Sequence, residues 1–157
     1  MKNGAPNPLA VAALLLGGIL AGLSLDKVIM QLPARRRMGA VAYAGYARAA
    51  DLGNGVVFYA VVGIAAAVLT VVAFGLTLTR STPETVRVLL GAGAGLSVLH
   101  SAATGRAAPM MFRIGRAEDT KAVLEPLLTR FARWSAVRAA LQVATFVVLV
   151  AAVTVGT

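Results

Sequence analysis

The chain has 157 residues, 59% of them hydrophobic and 13% charged, with a formal net charge of +9 at pH 7. Its mean hydropathy of +0.81 excludes an ordinary water-soluble domain. The absence of cysteine excludes disulfides and thiolate chemistry, and a single histidine argues against a multi-histidine metal centre. We therefore predict neither a metal nor a cofactor.

Four apolar runs follow one another along the chain, at residues 9–30, 52–78, 85–105 and 134–154. Each is long enough for the roughly 20 helical residues that cross a hydrocarbon core. Lipid offers no partner to open backbone groups, so we predict helices and not strands. The predicted fold class is all-α, a polytopic membrane four-helix bundle that forms one domain over residues 1–157. Lys2 before an apolar run is also typical of a signal peptide, but we expect the first run to be retained.

Basic residues gather in two long connections, around residues 26–51 and 106–133. The first connection starts as a predicted basic loop, QLPARRR, and becomes amphipathic before the second run begins. The opposite side offers only Lys2, Arg80 and Arg87. By the positive-inside rule, we expect both connections to be cytoplasmic and both termini to lie outside the cell membrane. The same rule explains the positive charge, so we predict no nucleic-acid partner.

The two connections resemble each other in sequence. Residues 33–39, PARRRMG, and residues 109–115, PMMFRIG, both read proline, three residues, arginine, an apolar residue and glycine. This pattern predicts two hairpins related by a parallel internal repeat. Chance similarity of so short a pattern is the alternative.

Small residues four positions apart line the apolar runs, for example Gly18 with Gly22 and Gly91 with Gly95. Such stripes let helix backbones approach closely inside a membrane. They suit the internal bundle and a homo-oligomer equally well, so the sequence leaves this choice open.

Polar side chains occur at the connection end of all four runs. They are Asp26 on the first run, Asp51, Asn54 and Tyr59 on the second, His100 and Thr104 on the third, and Trp134, Arg138 and Gln142 on the fourth. Ionisable groups inside a membrane cost about 2.5–3.5 kcal/mol each and usually face the bundle interior. We therefore predict one polar site at this end, braced by an Asp51–Arg138 ion pair.

All of these residues except Asp26 have a candidate role. His100 is the candidate general base, because histidine titrates near neutrality, and Asp51 and Arg138 are the other candidate catalytic residues. The candidate ligand-binding residues are Asn54, Tyr59, Thr104, Trp134 and Gln142.

Structural roles are the alternative. His100 can simply bond to a neighbouring helix. Asp26 and Lys27 can extend into the headgroups, and Arg48 and Arg133 are typical anchors to lipid phosphate.

The segments LPARRRMG, YARAADLGNG, PMMFRIG and RFARWSAVR together resemble the anthrone-oxygenase-like family of small four-helix membrane proteins. The closest correspondences are Trp134 with Arg138 and the segment around Pro109. The resemblance implies cofactor-free oxidation of a polycyclic phenolic substrate, in which a base removes a proton and the carbanion reacts with oxygen. A fainter similarity to styrene oxide isomerases implies no haem, because their haem-ligating histidine has no counterpart beside Ala50.

Two functions from different classes follow. The first is an enzyme or binding protein that acts on a lipophilic or aromatic small molecule at the polar site. The alternative is a non-catalytic membrane scaffold or partner subunit that assembles through its small-residue faces. A transporter is a third possibility, which would need a dimer. The expected partners are membrane lipids, a lipophilic small molecule and a second copy of the chain.

Overall fold

A computed structural model describes residues 7–156, and over these residues the chain forms helices and turns without any strand. Lys2, which enters the charge comparison, lies outside the described residues. The helices are α1 (Pro8–Asp26), α2 (Leu32–Met38), α3 (Ala40–Ala49), α4 (Gly55–Thr79), α5 (Glu84–Arg116) and α6 (Lys121–Val155). Two π-helical turns join neighbouring helices: the first π segment is Lys27–Gln31, and the second π segment is Ala50–Asn54.

Four continuous helical stretches are long and apolar enough to cross a membrane. They are Pro8–Met38, Ala40–Thr79, Glu84–Arg116 and Lys121–Val155. The prediction of an all-α four-helix bundle is confirmed, and the protein is a multi-pass integral membrane protein. The direction of insertion and the parallel internal repeat stay predictions.

The helices continue well beyond the predicted spans. The 33 residues of α5 measure about 50 Å, whereas a hydrocarbon core is only about 30 Å thick. The predicted basic loop at the end of the first run is wrong, because Leu32–Met38 is helical. Pro33 lies in the first turn of this helix, directly after the first π segment, with which α2 forms one continuous helical stretch. Gly39, at φ 83°, then reverses the chain into α3 with a left-handed backbone that favours glycine.

The extended helices build a second hydrophobic core outside the membrane part, which we call the cap. The cap consists of α2, α3, the end of α5 and the start of α6, and its buried residues are Leu32, Ala40, Tyr43, Ala44, Ala47, Ala107, Met111, Ile114, Leu124, Leu128 and Phe131. The core at the opposite end of the bundle contains Ala10, Ala13, Ala73, Val86, Leu90, Leu149 and Ala152. The predicted polar level lies between these two cores.

Arg48, near the end of α3, binds the C-terminal end of α5. Its Nη2 donates to the carbonyl oxygens of Ile114 and Ala117, at 3.1 and 3.0 Å, and its Nη1 lies 2.6 Å from Asp119 Oδ1. The last carbonyls of a helix have no partner within it, so this guanidinium caps α5. Arg48 is thus bound within the protein, and the expectation that it anchors to lipid phosphate is wrong.

The small-residue stripes divide between internal packing and open surface. A Cβ on Gly18 would lie 3.1 Å from the Phe146 ring, and one on Gly91 would lie 3.0 Å from the Phe74 ring, so both glycines admit an aromatic neighbour. A Cβ on Gly22 or Gly95 would meet nothing within 4 Å. Only part of each stripe therefore serves the internal bundle.

Candidate functional site

The two π segments meet in a largely buried ion pair between Lys27 and Asp51. The Lys27 ammonium lies 2.7 and 2.5 Å from the two Asp51 carboxylate oxygens and donates to Gln31 Oε1 at 2.8 Å. Both charged side chains are only 12% exposed. Gln31 Nε2 in turn donates to the Asp26 carboxylate. A buried charge must be paired in this way, and π turns often mark functional positions.

The predicted Asp51–Arg138 ion pair is wrong, since the partner of Asp51 is Lys27. The physical reason is the first π segment: the extra residue of a π turn changes which side chain faces the neighbouring helix, and composition does not reveal it. Arg138 is nevertheless close enough to Asp51 and Tyr59 to interact with them electrostatically. Its Nε is buried and has no hydrogen-bond partner.

His100 joins α5 to α6 through the backbone of Arg138. Its Nδ1 lies 3.2 Å from the backbone oxygen of Arg138. A carbonyl oxygen can only accept a hydrogen bond, so Nδ1 carries the proton. In the neutral ring, Nε2 then holds a free lone pair, which is the requirement for a general base.

His100, Arg138 and Lys27 lie at a common depth. Measured along the helix axes, His100 lies about 24 Å from the start of α5 and Arg138 about 26 Å from the end of α6. Lys27 lies about 28 Å from the start of α1. Tyr59 is half-buried and packs edge-on against Phe58, with ring centroids 6.0 Å apart. Arg138 lies within electrostatic range of His100, Asp51 and Tyr59, and we call these four residues the interfacial cluster.

The other predicted ligand-binding residues are placed differently. Gln142 is buried one turn deeper, where its Nε2 donates to the Gly17 carbonyl at 3.2 Å and links α6 to α1. The Thr104 hydroxyl donates to the His100 carbonyl within its own helix. Trp134 packs against the cap core, and Asn54 is exposed. Of these four residues, only Thr104 contacts a member of the interfacial cluster, and it does so through the backbone of His100.

Three further residues, none of them a predicted site residue, carry polar groups that are largely removed from solvent. Lys27, for which the headgroups were the alternative environment, is the counter-ion of Asp51, and a lysine inside an apolar run was the available signal, because such a charge needs a partner. Tyr43 is 1% exposed, and its hydroxyl has no hydrogen-bond partner. Ser135, one helical turn before Arg138, has a buried hydroxyl without a partner. No sequence pattern indicated that these two hydroxyls would be buried.

Two surface grooves lie elsewhere, on the cap. One runs along α6 past Lys121, Arg130 and Arg133, and the other lies between the α2–α3 corner and the start of α6. Neither is lined by the interfacial cluster. Comparison of the chain with known protein families, characterised proteins and solved structures yields no match.

Proposed function

We propose that the interfacial cluster binds a lipophilic small molecule with a weakly acidic group, and that His100 takes a proton from it. The observation that carries this proposal is the hydrogen bond from His100 Nδ1 to the Arg138 carbonyl, which leaves Nε2 as the basic nitrogen. We further propose that the basic cap faces the cytoplasm, as the positive-inside rule predicts.

Arg138 supports the same chemistry through charge. Its guanidinium interacts electrostatically with His100, and its buried Nε lacks a partner. Removal of a proton from a phenol or an activated methylene leaves an anion, and a fixed cation beside the site stabilises that anion. Tyr59 adds an aromatic surface within electrostatic range of Arg138.

The location favours a ligand that arrives from the bilayer. Near the cluster, α5 and α6 present exposed apolar side chains such as Val98, Leu99 and Val137. A water-soluble ligand would have to cross the cap core, whereas a hydrophobic one can approach from the hydrocarbon side.

The reaction that we propose is cofactor-free oxygenation, in line with the resemblance to the anthrone-oxygenase-like family. His100 Nε2 removes a proton from an aromatic-activated methylene, and the carbanion transfers electrons to O₂. The balanced change converts CH₂ and O₂ into C=O and H₂O. Arg138 holds the phenolate or enolate oxygen during this sequence.

The test uses the protein in phosphatidylcholine nanodiscs with a polycyclic phenol that carries such a methylene. His100→Asn keeps a side-chain donor for the Arg138 carbonyl but removes the basic nitrogen. We expect oxygen uptake to be lost while far-UV circular dichroism is unchanged. The matched control is Ser101→Ala, one residue away, because the Ser101 hydroxyl donates only to the Ser97 carbonyl of its own helix. Undiminished oxygen uptake by His100→Asn would exclude His100 as the base.

The alternative, a scaffold without catalysis, is favoured by one observation: Gly22, Gly63 and Gly95 leave open helix surface, with nothing within 4 Å of an added Cβ. Close approach of a second copy at these positions needs small residues. If the scaffold proposal holds, Gly95→Leu disrupts association in detergent and His100→Asn has no effect. Gly91→Leu is not a clean test of association, because that position contacts Phe74 internally.

A further inference from the structure

The groove between the α2–α3 corner and the start of α6, which we call the cap groove, gathers positive charge. Its walls include Arg35, Arg36 and Lys121, together with one carboxylate, Glu125. Arg35 Nη2 lies 3.7 Å from Glu125 Oε1, which is beyond hydrogen-bond distance. Three cations against one anion leave the lining with an excess of two positive charges.

An unsatisfied donor of Arg35 lies beside this groove. Arg35 Nη1 is buried without a hydrogen-bond partner, although the side chain lines the groove. The Tyr43 hydroxyl, on a residue that is 1% exposed, also lacks a partner and interacts electrostatically with Arg35. Buried polar groups are almost always hydrogen-bonded, so the unpaired Arg35 nitrogen indicates a missing polar partner.

The backbone of the groove adds N–H groups, which carry partial positive charge. Gly39 to Ala42, the start of α3, form part of the lining. No side chain caps this helix start, and its first turn carries no acidic residue. Free N–H groups and the positive end of a helix favour an anion.

We propose that the cap groove binds a phosphate monoester group. Arg35 and Lys121 hold the phosphate oxygens, and the N–H groups of the first turn of α3 complete the contacts. Phosphate provides several acceptors in a geometry that matches the planar arginine fork. This site is separate from the interfacial cluster and does not depend on the function proposed there.

The position of the groove relative to the membrane leaves two possible sources of phosphate. Lys121 lies about 51 Å along α6 from Val155, beyond a hydrocarbon core of about 30 Å. The ligand is therefore either a soluble phosphate ester or a monoester headgroup that projects from the bilayer, such as phosphatidic acid.

The experiment has two arms. In the first, glycerol 3-phosphate is titrated calorimetrically into the protein in phosphatidylcholine nanodiscs. In the second, the thermal midpoint is compared in nanodiscs with phosphatidic acid and with equal amounts of phosphatidylserine, which is an anionic diester. We expect saturable binding in the first arm for a soluble ester. A higher midpoint with phosphatidic acid than with phosphatidylserine identifies a lipid headgroup.

Lys121→Gln is the decisive variant, because Lys121 is exposed and its side chain makes no hydrogen bond or ion pair within residues 7–156. Loss of one charged contact should weaken binding about tenfold. Arg35→Gln should weaken it at least as much. Arg113→Gln, the charge-matched control, removes an exposed arginine of the same end of the protein that does not line the groove, and it should bind within about twofold of wild type.

Two results would overturn the proposal. One is the absence of saturable binding by wild type together with equal midpoints in the two lipids. The other is an equal loss of binding in Lys121→Gln and Arg113→Gln, which would show attraction to overall charge and not to the groove.

Discussion

We expect the Lys27–Asp51 ion pair to have the largest effect on stability of the polar contacts between helices. Both side chains are 12% exposed, and the Lys27 ammonium has three close oxygen neighbours: two of Asp51 and one of Gln31. Asp51→Asn and Lys27→Met should each lower the free energy of unfolding by about 3–5 kcal/mol, because each leaves a largely buried charge unpaired. The double variant leaves no unpaired charge, so its loss should be about 3 kcal/mol smaller than the sum of the single losses.

Equilibrium unfolding in mixed micelles of lipid and dodecyl sulfate, followed by far-UV circular dichroism, measures all four states of this cycle. A second cycle between Asp51→Asn and Arg138→Gln is the control. Its coupling should be below about 1 kcal/mol, because these two residues form no ion pair. Single losses below about 1 kcal/mol would refute the reasoning, since exposed pairs behave in that way. A larger coupling to Arg138 would also refute it.

The remaining predictions concern helix contacts and use the same unfolding assay. Arg48→Ala should cost about 2–3 kcal/mol, because two carbonyl oxygens at the end of α5 and one carboxylate lose a charged donor, and a loss below about 0.5 kcal/mol would mean that this cap is unimportant. Gly91→Ala should cost about 1–3 kcal/mol, because its new methyl group would press on the Phe74 ring, whereas Gly95→Ala should be neutral or stabilising; equal effects would contradict this difference. Gln142→Leu should cost about 1 kcal/mol through the lost bond to α1, and an increase in stability would show that this bond contributes nothing.

Hydropathy was sufficient to predict the fold, because a span is a property of composition over about 20 residues. The helix ends were predicted less well. Residues 31–37 have the charge of a loop, yet the helical stretch that begins at Pro8 continues through them to Met38 and ends at Gly39. Charge shows that a segment leaves the lipid but does not show that it stops being helical.

The sequence predicted the helix level at which His100 and Arg138 lie, but not the ion-pair partner of Asp51. Depth along a helix follows from residue number, so His100 and Arg138 could be placed at one level from the sequence. The direction of a side chain around the helix axis depends on each turn before it, and the two π segments change that direction. This is why the partner of Asp51 is Lys27 and not Arg138.

The most direct test of the proposed base uses the fact that His100 is the only histidine in the chain. Solid-state nitrogen NMR of histidine-labelled protein in lipid reports which ring nitrogen carries the proton, without interference from any other residue. We predict a neutral ring with the proton on Nδ1 in the resting protein and protonation of Nε2 when a lipophilic phenol is added. A ring with its proton on Nε2 alone, or one that does not respond to the phenol, would contradict the proposed role of the interfacial cluster.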